Sequence, residues 1–417
     1  MKPRWALLAF LCSVPSVPRA EEVELRYEDL PRLVAEGNGD VRAARDFSAA
    51  ARTGTGHLGR SFAPSVKLTA GEESFETGPY GTASQAYGSA EAELNLYRGG
   101  RDRLEERLRG AQVAASSAAA RRTYLEDLTR SRRLHGRLVY DREAAAFLVE
   151  VAERNREILS SADRRVRRGL ATETDRLEFE LFGAQLREEI ESLRHDVVLG
   201  EAELAPLLGK PVGTAFRTVE ELPHVHDDPL LAAEPAAEDE PEVRSLRAHQ
   251  ESTALEGRAA GRAAAPSLDL YGGYHLYTRR ERDFPRREDR DDRVGGIRLT
   301  WALFDGFRSR NQARVLAGRA RAYGAQADHR MRTLDARERV LKEDLKHHHE
   351  LLHSSEEQIA LARKYLALTL AEYDRGVKNS PDALGALQRY SLVRRQYVER
   401  KRDYESVRAE LLALLGL

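Results

Sequence analysis

Cysteine is almost missing. Cys12 is the single thiol of 417 residues, and it sits in an apolar stretch near the start of the chain. No disulfide and no cysteine-ligated metal can therefore form in the remainder, which suits an oxidising compartment. Net charge is missing as well. Lys and Arg number 67 against 68 Asp and Glu, a formal charge of -1, so nothing in the balance points to nucleic acid. After the opening segment no run approaches the roughly 18–20 apolar residues that a spanning helix needs. If this chain crosses a membrane, it must use strands in a closed barrel. No Ser/His/Asp set and no paired carboxylates stand out from the charged helix faces, so the sequence supports neither an enzyme nor a cofactor.

What is present is an abrupt change of period. From Val294 to Phe304 the residues alternate, with Ile297, Leu299, Trp301 and Leu303 on one face and Arg298, Thr300 and Ala302 on the other. That is the pattern of a strand with one apolar side. Past Asp305-Gly306 the period becomes seven: Ala320, Ala327, Leu334 and Leu341, then Leu345, Leu352, Ile359, Leu366 and Tyr373 mark a coiled-coil helix. The same turnover occurs earlier, where Ala90, Ala92, Leu94 and Leu96 alternate before Tyr97-Arg98-Gly99-Gly100-Arg101 opens another helix.

The two stretches belong to a duplication. Leu96-Tyr97-Arg98-Gly99 overlays Leu303-Phe304-Asp305-Gly306, Arg168-Gly169 overlays Arg375-Gly376, and Leu207-Leu208-Gly209 overlays Leu414-Leu415-Gly416, all at one offset of 207. Ala63-Pro64-Ser65 overlays Ala265-Pro266-Ser267 at 202. Helices of equal length with hairpins of unequal length imply that the rods are constrained and the loops are not. The heptad line of the first copy is expected at Leu138, Ala145, Ala152, Leu159 and Val166.

Residues 1–20 read as a signal peptide: a basic Met1-Lys2-Pro3-Arg4 followed by the apolar Trp5 to Cys12. The first repeat is placed at 21–209, with a helix from Tyr27 to about Phe62, a hairpin at 65–97, a long helix at 99–168 and a helix at 172–208. An acidic, proline-rich connector at 210–241 leads to the second repeat at 242–417: helix, hairpin 267–304, long helix 306–375 and helix 381–415. Gly54-Thr55-Gly56-His57-Leu58-Gly59 matches a dinucleotide-binding pattern by letter, but helix rather than strand precedes it, so it is set aside. Arg279 to Arg293 holds seven arginines and six acids in fifteen residues and is expected to be a solvated loop. Four strands cannot close a membrane barrel, since such barrels begin at eight. Three copies would supply twelve. Tyr97, Trp301, Phe304 and Phe307 lie near the strand-to-helix junctions, where aromatic girdles mark a bilayer edge.

Signal sequence, duplicated helix–hairpin–helix halves, the Leu-[Phe/Tyr]-x-Gly junctions, the Arg-Gly turns and the Leu-Leu-Gly ends together resemble the TolC family of outer membrane efflux proteins. The resemblance covers essentially the whole chain after the signal. It implies a mainly α fold with a small β part: a homotrimer whose long coiled-coil helices form an α-barrel in the periplasm and whose four strands per chain share a 12-stranded barrel in outer-membrane lipid. It also implies a passive exit channel for efflux or type I secretion, served by a periplasmic adaptor protein and an inner-membrane pump of the RND or ABC type. Arg98, where the first junction often has Asp, and Phe307, in place of a second glycine, depart from the pattern and suggest a different bend.

By the same resemblance, the turns Arg168-Gly169-Leu170 and Arg375-Gly376-Val377 dock the adaptor. Tyr373 and Lys378 tie neighbouring coils together, with Thr174 and Asp175 as partners, and Asp382 forms the narrowest acidic ring. Three carboxylates near one axis would favour cations, and Lys378 to Asp175 would be a modest link that opening could break. Thr172, Asp175 and Ser380 also read simply as caps of helix starts. His349 and His353 have the spacing that can chelate a metal, as does His224-Val225-His226-Asp227-Asp228, yet on a heptad helix such histidines are more often a solvated flank, so no metal is assigned. A reading from another class, a periplasmic coiled-coil scaffold, would leave the alternating hairpins and Trp301 unexplained.

Overall fold

The computed structural model describes residues 22–76, 82–219, 229–232, 237–281 and 287–417. The expected signal peptide and the His224–Asp228 cluster lie outside them. In chain order the elements are β1 (Glu22–Leu25), α1 (Leu30–Gly37), α2 (Gly39–Thr53), α3 (His57–Ser61), β2 (Ser65–Glu76), β3 (Thr82–Arg98), α4 (Arg101–Arg167), α5 (Glu173–Leu207), β4 (Ala215–Thr218), α6 (Pro241–Gly261), β5 (Ser267–Glu281), β6 (Arg287–Thr300), α7 (Arg308–Asp374) and α8 (Ser380–Leu414). The long helices α4 and α7 have 67 residues each, and α5 and α8 have 35 each. At 1.5 Å per residue the longer pair runs about 100 Å. Among the described residues no helix is long and apolar enough to cross a membrane.

The chain divides into two compact units. One comprises Met1–Gly39, Asp127–Asp228 and Glu343–Glu410. Its core joins Phe147, Leu148, Val151 and Ile158 of α4 to Phe179, Leu186 and Ile190 of α5, to Leu366 and Tyr373 of α7, and to Ala383, Leu387 and Tyr390 of α8. Along α7 all nine expected heptad positions are buried, from Ala320 to Tyr373. Along α4 the buried line runs instead through Ala144, Leu148, Val151, Asn155, Ile158 and Ala162, leaving Ala145, Ala152, Leu159 and Val166 half-buried at its edge. A mixed three-and-four spacing gives this helix a broader apolar stripe than a strict seven-residue line.

The N-terminal segment is not one helix, contrary to the sequence expectation. Asn38 takes an extended conformation between α1 and α2, and its side-chain amide donates to Asp127 at 3.0 Å. The chain breaks again at Gly54–Gly56, where Gly56 has φ 76°. Before α1, the segment Glu22–Leu25 pairs in parallel with β4 of the connector, Val23 opposite Phe216. Arg142 of α4 fixes that connector strand: it donates to the Phe216 carbonyl, to Thr218 Oγ1 at 3.0 Å and to Glu201 at 2.6 Å. Strands of four residues carry too little periodicity to be legible beforehand.

The second unit comprises Asp40–Glu126, Pro229–Lys342 and Leu411–Leu417. It contains an antiparallel sheet in the order β2-β3-β5-β6, the two hairpins side by side. The highly charged segment from Arg279 to Arg293 is strand over most of its length rather than loop: β5 runs on to Glu281 and β6 begins at Arg287, with Tyr274 opposite Arg293 and His275 opposite Asp292. Charge excludes a core, but it does not exclude backbone pairing in a ladder. At the other end β6 stops at Thr300, so Trp301 to Phe304 lie beyond the ladder. A register shift between Asn95 and Tyr97 marks a bulge in β3.

Candidate functional site

Two regions carry the residues singled out by sequence: the turns α4–α5 and α7–α8 in the first unit, and the sheet with its helix junctions in the second. Each turn is built the same way. The helix ends at a left-handed glycine, Gly169 (φ 70°) or Gly376 (φ 80°). The next residue's N–H then reaches back to close the turn, Leu170 to Arg165 O at 2.9 Å and Val377 to Glu372 O at 2.9 Å. This is a Schellman ending, in which the residue after the glycine normally covers an apolar neighbour. Here Leu170 and Val377 are instead 72% and 71% exposed, side chains offered to solvent. Arg168, Arg375 and Lys378 are exposed beside them.

The helices that follow start with reciprocal caps. Thr172 Oγ1 accepts from Asp175 N at 3.2 Å while Asp175 accepts from Thr172 N at 2.9 Å. Asn379 Oδ1 accepts from Asp382 N at 3.1 Å while Asp382 accepts from Asn379 N at 3.3 Å. The cap of α8 is thus Asn379, not Ser380, which is buried as the first helical residue. Thr172 and Asn379, and Asp175 and Asp382, are equivalent positions of the duplication. Glu173, next to the first cap, is held below the usual carboxylate range by a hydrogen bond from Arg176.

Tyr373 is 1% exposed and its hydroxyl is buried without a hydrogen-bond partner. The guanidinium of Arg165 lies 4.0 Å from its ring centroid and donates to its backbone carbonyl. Within the chain, the structure joins Tyr373 to Arg165 and not to Thr174, which is exposed, and directs Asp175 to its own helix start. Arg165 escaped the sequence reading because Arg164, Arg165, Arg167 and Arg168 look alike until the helix phase is known.

In the sheet, pairing places Val66 and Leu68 with Ala92 and Ala90, Leu94 with Leu270, and Leu270 with Ile297 on one face. That face is bare: Val66, Leu68, Ile297 and Leu299 are each at least 66% exposed. The other face carries Lys67, Glu91, Glu93, His275, Asp292 and Arg298. Tyr97, Trp301, Phe304 and Phe307 are exposed near the junctions, and Phe304 meets Phe307 edge-on at 5.3 Å. Phe307 has φ 62°, and it stands where the first repeat has Gly100 with φ 73°. Contrary to expectation the two junctions bend alike, and the second holds a bulky residue in a glycine conformation.

An apolar sheet face left bare by its own chain thus continues through left-handed glycine turns into the long helices. Residues 233–417 match the family model for outer membrane efflux protein. No curated protein matches the chain. Among solved structures, the outer membrane protein VceC of Vibrio cholerae superposes with a TM-score of 0.78 at 16% identity, covering 94% of this chain and 96% of that one. CusC gives 0.76 at 14% identity, covering 99% of both. The open state of the Neisseria gonorrhoeae MtrE outer membrane channel gives 0.75 at 16%, covering 94% and 89%. Over almost its whole length the chain therefore has the fold of these outer membrane channels, and residues 233–417 are similar in sequence to the outer membrane efflux protein family.

Proposed function

We propose that the protein is the outer-membrane exit channel of a tripartite efflux or type I secretion system, a passive duct whose energy is supplied by an inner-membrane pump. The observation that carries this is the bare apolar face of the four-stranded sheet, on a chain whose described helices include none able to span a bilayer. Its outer strands β2 and β6 each pair on one side only within the sheet. In lipid every backbone N–H and C=O must be satisfied, so copies of the chain complete the ring. Three copies give twelve strands, an allowed barrel size.

The exposed Leu170 and Val377 suit docking of a periplasmic adaptor, and Asp382, Lys378, Asp175, Thr174 and Tyr373 form the gate at the helix turns, with Asp382 setting the narrowest negative ring. Tyr97, Trp301 and Phe304 sit at the bilayer edge. Reconstitution of detergent-purified protein into planar bilayers tests the proposal. Discrete conductance steps are expected, and release of the protein as a soluble monomer by osmotic shock would overturn it.

A further inference from the structure

Of the polar clusters in the molecule, one joins three chemically suitable ligands from two separate elements. His57 is the first residue of α3, and Asp102 and Glu105 stand one turn apart at the start of α4. His57 Nε2 lies 2.8 Å from Glu105 Oε2 and 3.9 Å from Asp102 Oδ1. One donor atom from each of the three lies within 4.8 Å of the others, and no other grouping of three His, Cys, Asp or Glu reaches this among the described residues. His349 and His353 are not part of such a set. The side chains are 19%, 7% and 31% exposed.

The surroundings hold these groups in place. Asn95, itself 4% exposed, donates to the second oxygen of Asp102 at 3.1 Å, which leaves Oδ1 toward the histidine. Glu106, adjacent to Glu105, accepts from the backbone N–H of Gly56 and Leu58 at 3.0 and 3.1 Å and so fixes the loop that presents His57. Outer partners of this kind orient metal ligands. His57 Nε2 is nevertheless a buried nitrogen with no hydrogen-bond partner. A buried imidazole nitrogen 2.8 Å from one carboxylate and 3.9 Å from another, with no hydrogen bond to satisfy it, is the arrangement a cation would complete. The neighbouring positive group, Arg101, stands 3.8 Å from the far oxygen of Glu105 and offsets only part of the charge.

We propose that His57, Asp102 and Glu105 bind a divalent transition-metal cation of the Zn²⁺ type. Tetrahedral ligands about 2.0–2.1 Å from a zinc ion stand roughly 3.3 Å apart, within the span observed here, and three protein ligands leave one position for water. The ion would clamp the short helix after the chain break to the first turn of the long helix. The glycine-rich segment Gly54–Gly59 would then serve to present His57 instead of cradling a phosphate.

The test is calorimetric titration of Zn²⁺ into chelator-stripped, full-length protein in detergent. One saturable site per chain is expected. His57→Ala and Glu105→Gln should each weaken it at least tenfold, while the His349→Ala/His353→Ala double variant should leave it unchanged. X-ray absorption of the zinc-loaded wild type, which needs no variant to fold, should show one imidazole with oxygen donors. A wild type without saturable binding, binding that survives both His57→Ala and Glu105→Gln, or a shell with two or more imidazoles would overturn the assignment and leave a histidine–carboxylate ion pair only.

Discussion

Arg165 and Tyr373 meet twice, through the ring face at 4.0 Å and through a hydrogen bond to the tyrosine's carbonyl. The contact ties the last turn of α4 to the last turn of α7, the two helices that end in the exposed turns. Arg165→Ala removes both interactions and should cost about 1–3 kcal/mol, read as a lower melting temperature of the purified protein. Tyr373→Phe removes only a hydroxyl without a partner in its own subunit. If that hydroxyl ties no neighbouring coil, the variant should melt within about 1 kcal/mol of wild type with an unchanged closed-state conductance. A raised resting conductance in Tyr373→Phe would instead place the hydroxyl in a contact between subunits.

Asp382 has two separable roles, the reciprocal cap with Asn379 and the proposed negative ring. Asp382→Asn keeps an acceptor for the cap and discards the charge, whereas Asp382→Ala discards both. Cation preference in single-channel recordings should fall in both variants. Only the alanine should lose stability, by about 0.5–2 kcal/mol. Unchanged ion selectivity in Asp382→Asn would remove this residue from the conduction path.

At Phe307 the ordinary ranking of substitutions should reverse. Alanine keeps a side chain in the left-handed conformation, which costs about 1–2 kcal/mol, and glycine does not. Both lose the ring contact with Phe304, so Phe307→Gly should be more stable than Phe307→Ala by roughly that amount. Thermal unfolding of the two variants side by side decides it. Equal melting points would mean that the backbone relaxes when the ring is removed.

Asp141 is 3% exposed in the core of the first unit, and burial raises its pKa to about 6 despite Arg137 nearby. A carboxyl whose folded pKa is raised contributes stability below its unfolded value, near 4, and loses it as pH rises through 6. Asp141→Asn should therefore raise the melting temperature at pH 7.5, with the gain shrinking toward pH 4. Arg137 keeps its bond to Asp196 at 3.1 Å in that variant. His135, 3% exposed with its pKa lowered to about 4 by burial and by Arg142, acts oppositely. Its contribution is present above pH 6.5 and is lost as pH falls toward 4. A melting difference between wild type and Asp141→Asn that stays constant across this range would show that the carboxyl is not desolvated.

The long helices were legible because a seven-residue repeat sustained over fifty positions has no competing explanation, and Ala320 to Tyr373 are buried accordingly. The hairpins were legible where one face was apolar, except from Trp301 to Phe304, where the alternation runs on past the end of β6 at Thr300. Where β5 and β6 carry charge on both faces, the alternation vanishes although the ladder continues through Arg280 and Arg287. Pairing is a property of the backbone and does not require an alternating pattern of side chains. The break at Asn38 depends on Asp127, 89 positions away, and the contact of Arg165 with Tyr373 spans 208. His57, Asp102 and Glu105 were hidden for the same reason: each is ordinary on a charged helix, and only the fold brings the first to the other two.

β2 and β6 flank the sheet with one side of each strand unclaimed. Such flanks are templates for any extended chain they meet, native neighbour or not. On the proposed assembly, the hazardous moment in the life of this protein falls between hairpin formation and ring closure. Conditions that lengthen that interval should divert chains into open-ended ladders even when every helix is correctly folded.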